Sequence, residues 1–299
     1  MKRERGLLLL PVALALSVMG MLAYAMARGS ADEVAAIDAE YDVEATRYLA
    51  EAGLRLAKWQ NERVGCGNPK AFGTVRLKGV PGELRAIDVE LDKGEFEATV
   101  RAESPRGTVS TVTLDKMPFY DRTQQYDTVL PNSAFRDTTI SSVSPNAPDN
   151  TPESLEATDA KAHFLLSVAL ESFPTKARVT KATLWLYLDS SNSVQTVREL
   201  AAHAVTRAWT EGTATWNSPW NTSPGGSYEA RPEAVTAIAG TNRFYRWDIG
   251  PLVRRWHGGA LANFGMLFKP SGLNRAIFRS REAGNNRPRM DVSYNLRCD

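Results

Sequence analysis

Ala182-Thr183-Leu184-Trp185-Leu186-Tyr187-Leu188 is the stretch that decides the fold. Ala182, Leu184, Leu186 and Leu188 share one face of an extended chain, and Thr183, Trp185 and Tyr187 share the other. A period of two marks a β-strand. Both faces are largely apolar, which predicts a strand buried between layers. Working outward, His163–Val168, Ala201–Val205, Phe244–Asp248, Phe264–Lys269, Ala276–Ser280 and Met290–Tyr294 read as further short strands. The run Ser144-Pro145-Asn146-Ala147-Pro148-Asp149-Asn150-Thr151-Pro152 reads as a loop. Many short strands joined by Gly- and Pro-rich turns predict a jelly-roll-like β-sandwich.

The chain upstream follows a different rhythm. Thr74–Leu77, Ile87–Leu91, Phe96–Val100 and Val109–Leu114 alternate, separated by Pro81-Gly82, Lys93-Gly94 and Pro105-Arg106-Gly107. They predict a small antiparallel sheet of four strands. Before it, Val34, Ile37, Tyr41, Ala45, Tyr48, Ala52, Leu56 and Trp59 recur at helical spacing. That stripe is the expected cover for the sheet. Gly65 and Gly67 supply a stop near residue 63, and Pro11 a kink near the start. Asp32, Glu33, Asp38, Glu40, Asp42 and Glu44 all precede Arg47, a pattern of a solvated face or of contact with basic neighbours. The fold class is α+β, mainly β: a long helix packed on a small sheet, then the sandwich.

Leu7–Ala27 carries no charge and is long enough to span a bilayer. Lys2, Arg3 and Arg5 precede it, so the remainder is expected to cross outward. The run has three readings: a permanent anchor, a secretory signal cut at Ala23-Tyr24-Ala25 to leave Met26 first, or a leader cut after Gly6. Outside the cytoplasm two cysteines usually pair, so Cys66 and Cys298 are expected to form a disulfide. A net charge of +2 lacks the basic excess of nucleic-acid binders.

The basic start, the uncharged run, its helical continuation through Ala50-Glu51-Ala52-Gly53-Leu54 and the following sheet resemble the type IV pilin-like proteins, minor pilins and pseudopilins in particular. The resemblance implies cleavage between Gly6 and Leu7. It also implies residence in the inner membrane, then packing against other pilin-like subunits. Pro11 stands where major pilins carry a Glu, a departure that favours a minor subunit.

A second resemblance rests on several passages. They are Asp137-Thr138-Thr139-Ile140-Ser141, the run from Thr206 through Trp209, Glu211 and Trp216 to Asn217, and the run from Trp247 and Asp248 to Trp256. Asn263–Phe268, Phe278-Arg279-Ser280-Arg281-Glu282 and Arg287–Val292 complete the order. Residues 127–297 thereby resemble the DNRLRE-type domain, a β-sandwich of microbial surface proteins. Related modules bind polysaccharides and others serve as stalks, so the resemblance implies a glycan or surface ligand. The domains read as 1–28 leader and span, 29–116 helix and sheet, 117–160 connection, and 161–299 sandwich.

Trp220, Asn221, Tyr228 and Glu229 place aromatic faces beside polar groups in a loop with Pro219, Pro224, Gly225 and Gly226, a candidate sugar site. Trp209 and Trp216 are expected to pin a loop onto the core. Asp248 is expected to cap a short helix over 249–256, and Arg279, Arg281 and Glu282 to form an ion-pair network. His163, His203 and His257 show no metal spacing, and no nucleophile elbow or phosphate loop occurs. Asp149, Glu153, Glu156 and Asp159 offer oxygens without the spacing of a calcium loop, so no metal or cofactor is expected.

The sequence therefore predicts a non-enzymatic minor pilin-like subunit, in the bacterial inner membrane or at the cell surface. It would display its sandwich for assembly or adhesion. The alternatives are a permanently anchored binding protein and a surface polysaccharide-degrading enzyme.

Overall fold

A computed structural model of the chain describes residues 9–67, 69–149, 153–191, 198–220, 224–272 and 275–298. Gly6, Leu7 and Asn221 lie outside them. The chain forms two compact units, Met1–Phe119 with Cys298–Asp299, and Tyr120–Arg297.

In unit 1 a single helix, α1 (Leu9–Glu62), precedes strands β1 (Glu83–Asp92), β2 (Glu95–Glu103) and β3 (Val109–Pro118). The strands pair antiparallel in sequence order. The expected fourth strand contributes only the bridge between Val75 and Leu84. Pro11 lies within α1, two residues after the first described residue, Leu9. Among the described residues no helix is long and apolar enough to cross a membrane.

The face of α1 that meets the sheet differs from the expected one. Leu49, Ala50, Leu54 and Ala57 are buried against Leu84, Phe96, Ala98 and Val100. Tyr41, Tyr48 and Trp59, expected inside, are exposed. Close approach explains the choice: a Cβ on Gly53 would stand 2.6 Å from Val100 Cγ1. Only small residues fit there, and aromatic side chains with polar ends do not.

Polar contacts fix the helix along its length. Ser104 Oγ donates to Asp42 Oδ2 at 2.8 Å, and Thr108 Oγ1 donates to the same oxygen. These bonds hold the Asp42 carboxyl below the usual carboxylate range. Arg106 reaches Asp38 at 3.2 Å. Cys66 and Cys298 form a disulfide across a sequence separation of 232 residues.

Unit 2 contains β4 (Tyr126–Val129), β5 (Phe135–Ser141), β6 (Ser154–Ala157), β7 (Ala162–Val168), β8 (Ala177–Ser191) and β9 (Arg198–Ala204). Then follow β10 (Ala234–Ile238), β11 (Arg243–Asp248), α2 (Gly250–His257), β12 (Met266–Ser271), β13 (Ala276–Arg279) and β14 (Arg289–Leu296). One sheet runs β10-β9-β12-β7-β5. The other runs β4-β14-β8-β13-β6, with β11 also on β8. Phe164, Leu166 and Phe268 from the first sheet share one core with Leu184, Leu186, Trp247 and Phe278 from the second. The unit is a β-sandwich.

The outer faces of the two sheets are not alike. On the first, Ile140, Leu165 and Leu267 are covered by Val205, Ala214 and Trp220, with Trp209, Trp216 and Tyr228 packed alongside. The second sheet carries no such apolar layer among the described residues.

Gly53→Ala tests the close packing in unit 1. Helix propensity alone favours Ala by about 1 kcal/mol, whereas overpacking a tight contact costs about 1–3 kcal/mol. We expect weaker hydrogen-exchange protection in β1 and β2. Protection equal to or above that of the parent chain would show that Val100 yields freely.

Candidate functional site

The open face of the second sheet is built on β8. Register pairs Trp185 with Arg246 of β11 and with Arg289 of β14, and Thr183 with Asp248 and Asp291. Cross-strand partners on one face lie close enough to act together. Trp185 Nε1 donates to Asp291 Oδ2 at 2.8 Å, and the Arg289 guanidinium stands 5.4 Å from the ring centroid. The ring is therefore held in one orientation.

A groove of about 580 Å³ opens beside it, lined by Lys181, Thr183, Trp185, Thr236, Arg246 and Asp248 among others. Lys181 and Arg246 have no ion-pair partner among the described residues. Glu233, at the far wall, is held by Arg255 at 2.5 Å. Two cations, one fixed ring, a hydroxyl and a carboxylate thus converge on one groove. Such a set can stack against an apolar ring face while donating to and accepting from hydroxyls. The sequence reading placed Trp185 and Tyr187 between layers. In the folded chain only the Ala182–Leu188 series points inward, and Trp185 and Tyr187 are half-buried on the outer face.

The loop proposed from sequence is occupied by its own packing. Trp220 is only 5% exposed, and its Nε1 donates to the Thr215 carbonyl at 2.8 Å. No face of that ring is open for stacking. Tyr228 Oη accepts from Lys269 at 3.0 Å, and its ring meets His203 edge-on at 5.0 Å. Glu229 is bound by Arg255 at 2.8 Å. These residues come together, but as the layer over the first sheet. Trp209 donates to the Phe264 carbonyl at 2.8 Å, and Asn217 donates to Asn146 at 2.8 Å. Trp216 packs 4.9 Å from the His163 ring.

A second groove, of about 590 Å³, lies in unit 1 along Arg76, Leu77, Val80 and Glu83. It lacks an aromatic ring, and its Arg76 is paired with Glu83 at 3.2 Å.

Residues 132–294 match carbohydrate-binding module family 96, more than half of the 299-residue chain. The chain belongs to that family. A comparison with curated proteins returned no match. The family 96 match falls within unit 2 and includes every residue named for the groove beside Trp185.

The family 96 module also gathers acidic residues that are far apart in sequence. Carboxylate oxygens of Asp137, Glu211 and Glu282 lie within 4.8 Å of one another. A lone acid at each of these positions carries no metal signal in the sequence. Arg281 Nη2 binds Glu211 at 2.9 Å, and its Nε binds Glu282 at 2.6 Å. Asp137 Oδ2 accepts from the Arg281 backbone N–H at 2.9 Å, and Glu211 accepts from the Asp137 N–H at 2.8 Å. Arg281 thus pairs with two of the three carboxylates through its side chain and bonds the third through its backbone N–H. Arg279 sits apart, on Asp189 at 2.9 Å, and the buried Ser280 Oγ accepts from the Glu282 N–H.

Asp248 accepts from the Gly250 N–H at 3.2 Å, one residue ahead of the helix cap at Ile249, which has no side-chain cap. Trp256 from α2 is buried in the sandwich core. The three histidines each bond a carbonyl, of Gly225, Glu229 and Ala177. Burial holds His163 and His203 below the usual range.

Burial raises the Asp137 carboxyl to about 8, against the lowering effect of the Arg281 N–H. A raised carboxyl favours the folded state in its protonated form. Its contribution is full below about pH 4 and is lost as pH rises towards 8. We expect the unfolding midpoint of Asp137→Asn to gain on that of the parent chain between pH 4.5 and 8.5, by several degrees. A constant difference across that range would show that Asp137 does not titrate there.

Proposed function

We propose that the family 96 module binds carbohydrate on the open face of its second sheet, without turnover. The observation that carries the reading is the groove against Trp185, beside which Lys181 and Arg246 have no ion-pair partner among the described residues. The family match supports the ligand class. The ring supplies a stacking platform, and Thr183 and Asp248 supply hydroxyl partners. The two cations favour glycans that carry carboxylate or sulfate groups.

Affinity electrophoresis against neutral and acidic polysaccharides tests this reading. Trp185→Ala is expected to weaken binding at least tenfold. Lys181→Ala with Arg246→Ala is expected to weaken acidic glycans more than neutral ones, and added salt to reduce the difference. Tyr228→Phe, which touches only the covered face, is expected to bind as the parent does. If Tyr228→Phe loses binding while Trp185→Ala keeps it, the site lies on the other sheet.

A second reading concerns display. The Cys66–Cys298 disulfide supports an oxidising compartment, and the uncharged run Leu7–Ala27 supports export. The mass of the mature N-terminus separates the three routes. Leu7 indicates a pilin-like subunit, Met1 an anchored protein and Met26 a secreted one.

A further inference from the structure

We propose that α1 pairs antiparallel with α1 of a second copy of this chain, along the stripe from Val34 to Trp59. The stripe is on the surface of unit 1. Ile37 is 66% exposed, Tyr41 73%, Tyr48 59% and Trp59 42%. Contiguous exposed apolar surface of this kind marks an interaction site.

The spacing of the stripe fixes the kind of partner. Val34, Ile37, Tyr41, Ala45, Tyr48, Ala52, Leu56 and Trp59 step by three, four, four and again, an eleven-residue repeat. That repeat stays on one side of a nearly straight helix over about 38 Å, the geometry of a helix-on-helix seam. The sheet takes another face, Leu49, Ala50, Leu54 and Ala57, and of the stripe only Leu56 packs partly against that core.

Size complementarity selects the antiparallel register. With a two-fold axis between Thr46 and Arg47, Tyr41 faces Ala52 of the mate and Tyr48 faces Ala45. Ile37 then faces Leu56, and Val34 faces Trp59. Each large side chain meets a small or medium one, as close packing requires. A parallel pair in register would set Tyr41 on Tyr41 and leave gaps at the alanine layers. The interface is isologous, so it closes at two copies.

Charge agrees with that register. The first half of the stripe is flanked by Glu33, Glu40 and Glu44, and the second by Arg47, Arg55 and Lys58. The antiparallel pair brings Glu40 beside Arg55 of the mate, whereas Arg47 already pairs with Glu44 and Glu51 of its own chain. Glu40 and Arg55 have no ion-pair partner within the chain among the described residues. Such a pair sets the two N-terminal apolar runs at opposite ends. It therefore excludes both runs from one bilayer and goes with the secreted route.

Cysteine cross-linking of the full chain in detergent tests the register. Tyr41→Cys and Ala52→Cys chains are purified separately, co-incubated and mildly oxidised. We expect a mixed dimer joined between positions 41 and 52, identified by mass, and no cross-linked dimer from either chain alone. In the antiparallel pair two copies of one position stand about 16 Å apart along the axis. Tyr48→Glu is expected to weaken dimerisation of the parent chain at least tenfold in light scattering, with hydrogen exchange in β1–β3 unchanged. Ala52→Cys cross-linking to itself would show a parallel pair and overturn the proposal. Absence of the mixed product would overturn it too, whatever the mass in solution.

Discussion

Phe164 stacks on Phe268 at 4.5 Å and tilts against Phe278 at 5.6 Å, while Trp247 meets Phe268 edge-on at 5.4 Å. Phe164 and Phe268 come from one sheet, and Phe278 and Trp247 from the other. Trp247 Nε1 also donates across the sandwich to the Leu200 carbonyl at 3.0 Å. This cluster holds the sheets at one separation and one register. Strand side chains alternate, so fixing Trp247 and Leu184 inward fixes Arg246 and Trp185 outward. A slip of one residue would turn the groove inside out. The candidate site is thus a consequence of core packing carried to the opposite face.

The outer faces then diverge because of where the long connection between β9 and β10 runs. It folds back over the first sheet and buries Trp220 and Ala214 on Leu165 and Leu267. Gly225 and Gly226 permit that path: both have positive φ, and a Cβ on Gly226 would stand 2.3 Å from Leu267 Cδ1. His163 and His203 lie beneath this layer and bond its carbonyls through one ring nitrogen each. Their burial favours the neutral form, which suits a lid and not a titrating site. The second sheet, with no such lid among the described residues, leaves Trp185 and Tyr187 half-buried.

Much of the sandwich was legible because its strands alternate strongly. His163–Val168 and Ala182–Leu188 fall within β7 and β8. The strands Tyr126–Val129, Ser154–Ala157 and Ala234–Ile238 were not, being four or five residues long with little period to read. The burial of Trp220 was not legible, for a physical reason. An aromatic beside Pro and Gly in a loop looks the same whether it faces water or folds back, and only tertiary packing distinguishes Trp220 from Trp185. The helix posed the same problem: spacing showed one apolar stripe on α1, from Val34 to Trp59, and the sheet took a different face. Gly53 marked the answer, since a glycine inside a helix weakens it unless a neighbour must come close.

Placing leucine, alanine and glycine inward and the aromatic residues outward gives α1 two faces. The inner one builds unit 1; the outer one, in the pairing proposed above, joins two chains. That bears on sugar binding. A groove with a single fixed ring and an open mouth offers few contacts per saccharide, so a lone module gains little from each encounter. A polysaccharide repeats the same chemistry along its length, and a pair of chains carries two grooves. Once one groove is engaged, the second meets its ligand at a high effective concentration set by the tether. Under the binding proposed above, weak, reversible contacts at each Trp185 would sum to durable attachment without requiring a deeper pocket.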